Sequence, residues 1–483
     1  MEGDQQVTKR IFRNASSQMV GRLMITLCRF VIAMIIVRNL GVETYGKYAL
    51  VLSLLLVGDC LVDFGMTDFT VRMLCREPEK WYGFLRSFCQ AKGILTVVAS
   101  LILLFWMIAN SYDKDILLAG LIGLIELALF GVILFYRTVF KSLLLMEREV
   151  VSELVSVCVF LPLFYYGGKA GWGVTGLIGC YVGARAFFMG LMVTTGRVEL
   201  WRLKAPATAQ VTTPESTSRA ILKASPLGFS SLLVILYMAL DPILLASLVD
   251  LESVGLFAGS ERFLNLMILA IYPVADSLFP VLSGYFGKDP QRFQKRMNEA
   301  VRVIVILAGG GFCVFYCGAG FFLGLMGPEM LAGTTLFQAM SATFFLKALA
   351  SIMGPVIISS GGIRISLWLT LFSVIIKICL VFVFVPRMGI LGIPVVNALT
   401  EVLNLVFTNI VVRISVKVFI NWTPLFVCLP ILALVVVFIK QIDLMHSLTG
   451  LILAGLIYLT LATITGLVPW RDLLRYFNRP KVS

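Results

Sequence analysis

Fourteen stretches of about 20 mostly apolar residues recur along this chain of 483, and they leave it few ways to fold. Hydrocarbon offers a peptide group no hydrogen-bond partner, so a segment that crosses it must satisfy its own backbone, as a helix does. The approximate limits are 15–38, 46–67, 83–109, 116–136, 150–166, 173–195, 226–248, 255–281, 300–325, 332–358, 365–385, 391–412, 420–440 and 446–467. Only 14% of the residues are charged and 59% are hydrophobic, where a soluble domain carries roughly 25% charged residues. The expected fold is therefore an all-α polytopic membrane protein. The first residues, MEGDQQVTKRIFRN, are polar and run straight into a span, so no cleavable signal peptide is expected.

Seven cations lie well inside these apolar stretches, away from their ends: Arg22, Arg29, Lys92, Arg185, Arg262, Lys347 and Lys377. A cation at a helix centre costs roughly 2.5 to 3.5 kcal/mol on insertion scales, so lipid exposure of all seven would cost about 20 kcal/mol. They must face acids, each other or a hydrated cavity, and a cationic cavity implies an anionic substrate. The remaining Lys and Arg divide unevenly. Counted with the span ends beside them, the N-terminal tail, even-numbered connectors and C-terminal tail hold 27, and the odd-numbered connectors hold six. That bias places both termini in the cytoplasm. It also accounts for most of the net charge of +13, which removes the main reason to expect a nucleic-acid partner.

The stretch WRLKAPATAQVTTPESTSR reads as a linker. It divides the chain into a first lobe at 1–200, a linker at 201–222, a second lobe at 223–415, and spans thirteen and fourteen with a basic tail at 416–483. Sequence on the two sides of the linker is related. LGVETYGKY (40–48) aligns with LVDLESVGLF (248–257), setting Glu43 over Glu252 and Gly46 over Gly255. Further on, Arg148 aligns with Arg364 and GVTG (173–176) with GILG (389–392). Two six-span halves plus two added spans describe the chain, and such repeats suggest a transporter with its site between the halves. Ten cysteines without a C-x-x-C pair and a single histidine, His446, give no metal site, and no cofactor is expected.

Three stretches are more specific. VRNLGVETYGKYAL with LVDFGMTDFTVR, then YMALDPILLASLVDLESVGLFAGSERF with Asp241, then PRMGILGIPVVNALTEV resemble bacterial polysaccharide flippases of the Wzx type. These belong to the multidrug/oligosaccharidyl-lipid/polysaccharide exporter superfamily. The resemblance implies fourteen helices in two lobes and alternating access. It also implies a cargo of undecaprenyl-diphosphate-linked oligosaccharide moved across the bacterial inner membrane, among membrane lipids, for surface polysaccharide synthesis. Polysaccharide polymerase machinery would be a further partner. Other members flip peptidoglycan lipid precursors or export cationic drugs.

Arg29, Lys92, Arg185, Lys347 and Lys377 are the expected cavity cations, since guanidinium and ammonium groups suit phosphate oxygens. Asp59, Glu126, Asp241 and Glu401 are the expected proton or sodium sites. Asn265 and Tyr272 share a face of span eight with Glu261 and Asp276, Asn397 and Asn404 share a face of span twelve with Glu401, and all four would hydrogen-bond sugar hydroxyls. Interhelical ion pairing, for example Arg29 with Asp59 or Lys377 with Glu401, competes with cavity lining. Glu153 is expected only to reach the interface. The short odd-numbered connectors leave no room for the catalytic loop of a membrane-embedded enzyme, and the twofold repeat does not describe a channel ring. Asp63-Phe64-Gly65 spells a kinase motif but falls in a span with no Gly-rich loop, so it is not read as one.

Overall fold

The computed structural model describes residues 2–77, 81–202, 217–286, 288–359, 363–415 and 419–468, and among these all regular structure is helical. Most of the expected linker and the basic tail beyond 468 lie outside the described residues. Two compact units are present, Met1–Gly255 and Leu256–Ser483. The first contains α1 (Glu2–Asp63), α2 (Met66–Arg76), α3 (Trp81–Ala109), α4 (Lys114–Ser142), α5 (Met146–Lys169), α6 (Gly173–Arg202), α7 (Thr217–Leu248) and the opening residues of α8 (Leu251–Tyr285). The second contains the rest of α8, α9 (Pro290–Cys317), α10 (Ala319–Met326), α11 (Thr334–Ala350), α12 (Met353–Ser359), α13 (Ile363–Met388), α14 (Gly392–Ser415), α15 (Thr423–Gln441) and α16 (Leu448–Ile464).

The fourteen expected spans fall on α1 (two of them), α3 to α9, α11, and α13 to α16. Among the described residues nine continuous helical stretches are long and apolar enough to cross a membrane, and Gln18–Arg76 and Arg364–Ile414 each hold two spans. The chain is a multi-pass membrane protein.

The connector expected between the first two spans is a single-residue break. Helix continues on both sides of Gly41, whose φ of 85° and ψ of 169° belong to a region that only glycine enters without strain. Five residues on, α1 meets the start of α8 backbone to backbone. A methyl group on Gly46 would stand 1.9 Å from the Leu251 carbonyl oxygen, and one on Gly255 would stand 2.1 Å from that of Val42. These are the two glycines that the internal repeat aligns. Matched positions of the repeat therefore meet at one crossing too close for any side chain.

Around this crossing α1 packs on α5, α4, α3 and α7, while α4 and α5 both pack on α6. In the second unit α9 is central and touches α11, α15 and α16. An aromatic cluster fills its interior. Phe315 lies 4.9 Å from Phe322 and 5.7 Å from Phe337, ring centre to ring centre, and Phe263 packs on both at 5.3 and 5.9 Å. Such edge-to-face pairs add about 0.5 to 1.5 kcal/mol each beyond the area they bury.

Candidate functional site

The first unit gathers its embedded charges where α1, α3, α4, α5 and α6 face one another. At the centre is Arg185 of α6. Its Nε donates to Glu126 Oε1 of α4 at 2.8 Å, and its Nη2 donates to Asp59 Oδ2 of α1 at 3.4 Å. The guanidinium carbon also lies 5.3 Å from the Phe130 ring centre and 5.6 Å from that of Tyr181. Glu126 is completely buried. The second oxygens, Asp59 Oδ1 and Glu126 Oε2, are buried without a hydrogen-bond partner. One guanidinium thus serves two carboxylates and leaves half of each unsatisfied. In a low-dielectric interior that is costly, because two ionised carboxylates exceed the single cation between them.

A second cluster lies at the junction of α1 and α2. Lys92 of α3, 4% exposed, donates to Asp63 Oδ1 at 2.8 Å and to the carbonyls of Val62 and Asp63 at 3.0 and 3.1 Å. All three ammonium protons are used, and the Phe88 ring lies 4.7 Å away. Asp63 also accepts from the Thr67 backbone N–H and hydroxyl, which secures the first turn of α2. Phe64 packs edge-on against Phe229 of α7 at 5.2 Å. Gly65, at φ 72°, lets the corner approach Gly228 of the same helix. The Asp63-Phe64-Gly65 sequence is thus a structural corner between two helices.

Toward the start of α5 the pairs become more exposed. Arg29 of α1 reaches Glu153 Oε1 at 2.6 Å, Arg137 of α4 reaches Glu149 at 2.6 Å, and Arg148 reaches Glu199 of α6 at 2.9 Å. Arg29 therefore pairs with Glu153 of α5, and Asp59 goes to Arg185. Glu153, expected only to reach the interface, is the partner of Arg29 in a partly exposed ion pair.

The three cations expected in the first lobe are thus all held by carboxylates. Arg29, Lys92 and Arg185 face Glu153, Asp63, Asp59 and Glu126, three positive groups against four acids. Asp63 and Glu153 lie outside the expected site residues. The i, i+4 relation of Asp59 to Asp63, and of Glu149 to Glu153, is the sequence signal that would have found them.

In the second unit Lys377 and Glu401 are buried, with 1% and 4% exposed, and Lys347, Asn265, Asn397 and Asn404 are half-buried. Ser373 of α13 donates to Asn404 Oδ1 of α14. Asp241, in the first unit, is buried in α7 beside Pro242. The Tyr272 side chain lies outside the described residues.

Comparison with known proteins places this arrangement. The model of the polysaccharide biosynthesis protein family matches residues 11–286. No curated protein matches the sequence. Among solved structures the chain is similar to a lipid II flippase, MurJ, in its inward closed conformation, at 12% identity and a TM-score of 0.73, over 96% of this chain and all of that one. It is also similar to an inward-facing multidrug resistance MATE family transporter of the MOP superfamily, at 14% identity and TM-score 0.66, over 81% of this chain and 96% of that one. A third similar structure is a MOP superfamily transporter from Pyrococcus furiosus, whose reversed binding-pocket polarity is said to suggest a different function. It aligns at 14% identity and TM-score 0.54, over 84% of this chain and 96% of that one. These identities speak for the fold alone. With the family model matching more than half of its length, this chain belongs to the polysaccharide biosynthesis protein family.

Proposed function

We propose that the protein is a flippase for a polyprenyl-diphosphate-linked oligosaccharide. It would act by alternating access in the bacterial inner membrane, with both termini in the cytoplasm, and would supply the polymerase machinery of surface polysaccharide synthesis. The family match supports the pathway. One observation in the first unit carries the mechanism: Arg185 is shared by Asp59 and Glu126, and each carboxylate keeps one unpartnered buried oxygen.

A guanidinium already paired with carboxylate can bind phosphate only by exchanging partners. A proton delivered to Asp59 or Glu126 neutralises the surplus acid and frees Arg185 donors for a diphosphate oxygen. Loss of the cargo then lets the carboxylate lose its proton and re-form the pair. Proton uptake and anion binding are thereby linked, as a gradient-driven cycle requires. A proton suits this site better than sodium, because Arg185 already occupies the place a metal cation would take. Arg29 and Lys92 extend the cationic set, and Lys347 and Lys377 would serve the cargo from the second unit. Asp241 and Glu401 are assigned as further coupling groups. Asn265, Tyr272, Asn397 and Asn404 are assigned to the sugar.

A second reading, a cationic-drug exporter, is favoured by the surplus of acid among these paired embedded groups, four carboxylates to three cations. Equilibrium binding to the purified protein in nanodiscs separates the two. A lipid-linked oligosaccharide diphosphate should bind more tightly than the same glycolipid without its diphosphate, and Arg185→Ala should weaken binding at least about tenfold, the worth of a charge-assisted pair. Unchanged affinity in Arg185→Ala, or tight binding of a lipophilic cation in place of the glycolipid, would refute the proposal.

A further inference from the structure

At one end of the second unit a cavity of about 930 Å³ opens where α9 and α15 begin and α16 ends. Three span ends meeting there place it at one membrane surface, and its volume is in the range of small-molecule sites. Its walls are fixed by amide side chains. Gln294 accepts from the Phe419 N–H at 2.9 Å and donates to the carbonyl of the same residue, and Asn298 accepts from Gln294 at 3.1 Å and from the Asn421 N–H at 3.2 Å. Arg302 closes the far side by donating to the carbonyls of Gly466 and Leu467 at the end of α16. Two of its five N–H donors are used in this way, which leaves three for a ligand.

The charge of the cavity is positive. Lys295 lines it and has no ion-pair partner among the described residues. The one acid in the lining, Glu299, is engaged by Arg296 at 2.8 Å. Pro424, Val427 and Leu467 supply an apolar side to the same space. The sequence that follows adds Arg471, Arg475, Arg479 and Lys481. A basic tail is a poor occupant for a cationic cavity, and the charge selects an anion instead. Cationic clusters and basic pockets at span ends bind acidic lipid headgroups for this reason.

We propose that this cavity binds the phosphate headgroup of an anionic phospholipid, with Lys295 and Arg302 on the phosphate and Val427 and Leu467 against the glycerol and upper acyl chain. The bound lipid bridges α9 to α15 and α16. The site lies wholly in the second unit and does not depend on the cargo assigned above. In the orientation proposed here it faces the inner leaflet.

The test is lipid binding by the full-length protein in detergent, read by native mass spectrometry. Phosphatidylglycerol is compared with phosphatidylcholine, and Lys295→Glu with Lys440→Glu, an exposed charge reversal at the opposite end of α15. Phosphatidylglycerol should bind in preference to phosphatidylcholine, and Lys295→Glu should weaken it about tenfold, as reversing one interfacial charge implies. Lys440→Glu and millimolar inorganic phosphate should leave it unchanged. Equal weakening by both reversals would reduce the effect to diffuse surface charge and overturn the site. Displacement by inorganic phosphate would make the ligand a free anion and overturn the lipid assignment. Tighter lipid binding after truncation at Val468 would show that the chain's own tail fills the cavity, and would also overturn it.

Discussion

Lys92 shows how the first unit treats a charge that its sequence places in a membrane span. Its ammonium spends every proton within α1 and the α1–α2 corner, so it acts as a clamp as well as a cation. Removing one member of a buried pair leaves the other uncompensated, at a cost of about 3–5 kcal/mol. Lys92→Met should therefore lower the thermal midpoint in detergent sharply. The double variant Lys92→Met/Asp63→Asn should recover a large part of the loss, because it removes both charges together. If the double variant were no more stable than the single one, the clamp would not be electrostatic. The embedded cations themselves were legible in the sequence, but their partners were not. Partner choice depends on the rotation of each helix about its axis, which hydropathy does not encode. Arg29 and Asp59 lie on the two segments of α1 on either side of Gly41, and the rotation of each segment turns one to α5 and the other to α6.

At the scale of elements, span positions followed directly from apolar length, whereas the breaks between them depended on single residues. Gly41 replaces an expected connector, and the Asp63-Phe64-Gly65 corner lies inside what reads as uninterrupted apolar sequence. The repeat found Gly46 and Gly255 by alignment alone, without revealing that they touch. A valine at either position would drive its side chain into backbone and should cost about 1–3 kcal/mol or more. Gly46→Val and Gly255→Val should each reduce folded yield and thermal midpoint, whereas Gly93→Ala, where a methyl meets nothing within 4 Å, should not. Equal stability of all three variants would remove the crossing from the account.

The turn between α15 and α16 offers a pH-dependent counterpart. His446 donates its backbone N–H to the Cys317 carbonyl at 2.7 Å, and its Nδ1 accepts from the Gly320 N–H at 3.2 Å. An accepting imidazole must be neutral at that nitrogen, and burial pushes the His446 pKa below its ordinary value. The unfolded chain then takes up the proton first as pH falls. This contact's contribution is present above the ordinary histidine pKa of about 6.5 and is lost as pH drops below it toward the lowered folded value. The thermal midpoint should fall over that window in the wild type. His446→Asn keeps a short acceptor at a residue whose φ is 67°, which asparagine tolerates, and should show a shallower fall. An equally steep decline in the variant would place the sensitivity elsewhere.

For the molecule as a whole, the fold class, the fourteen spans and the family followed from apolar length, the uneven spread of cations and three resembling stretches. The ionic state of the first unit required coordinates. The sequence suggested a cationic cavity, and the structure shows cations held by a slight surplus of carboxylate. In the function proposed above, that surplus would make cargo binding and proton uptake a single exchange, which is the central claim. It is tested most directly by proton flux in proteoliposomes carrying the purified protein, with lipid-linked oligosaccharide diphosphate added and luminal pH recorded. Cargo-dependent proton movement is expected in the wild type, with none in Glu126→Gln at equal protein incorporation. Cargo translocation without proton movement, or wild-type flux in Glu126→Gln, would contradict the account.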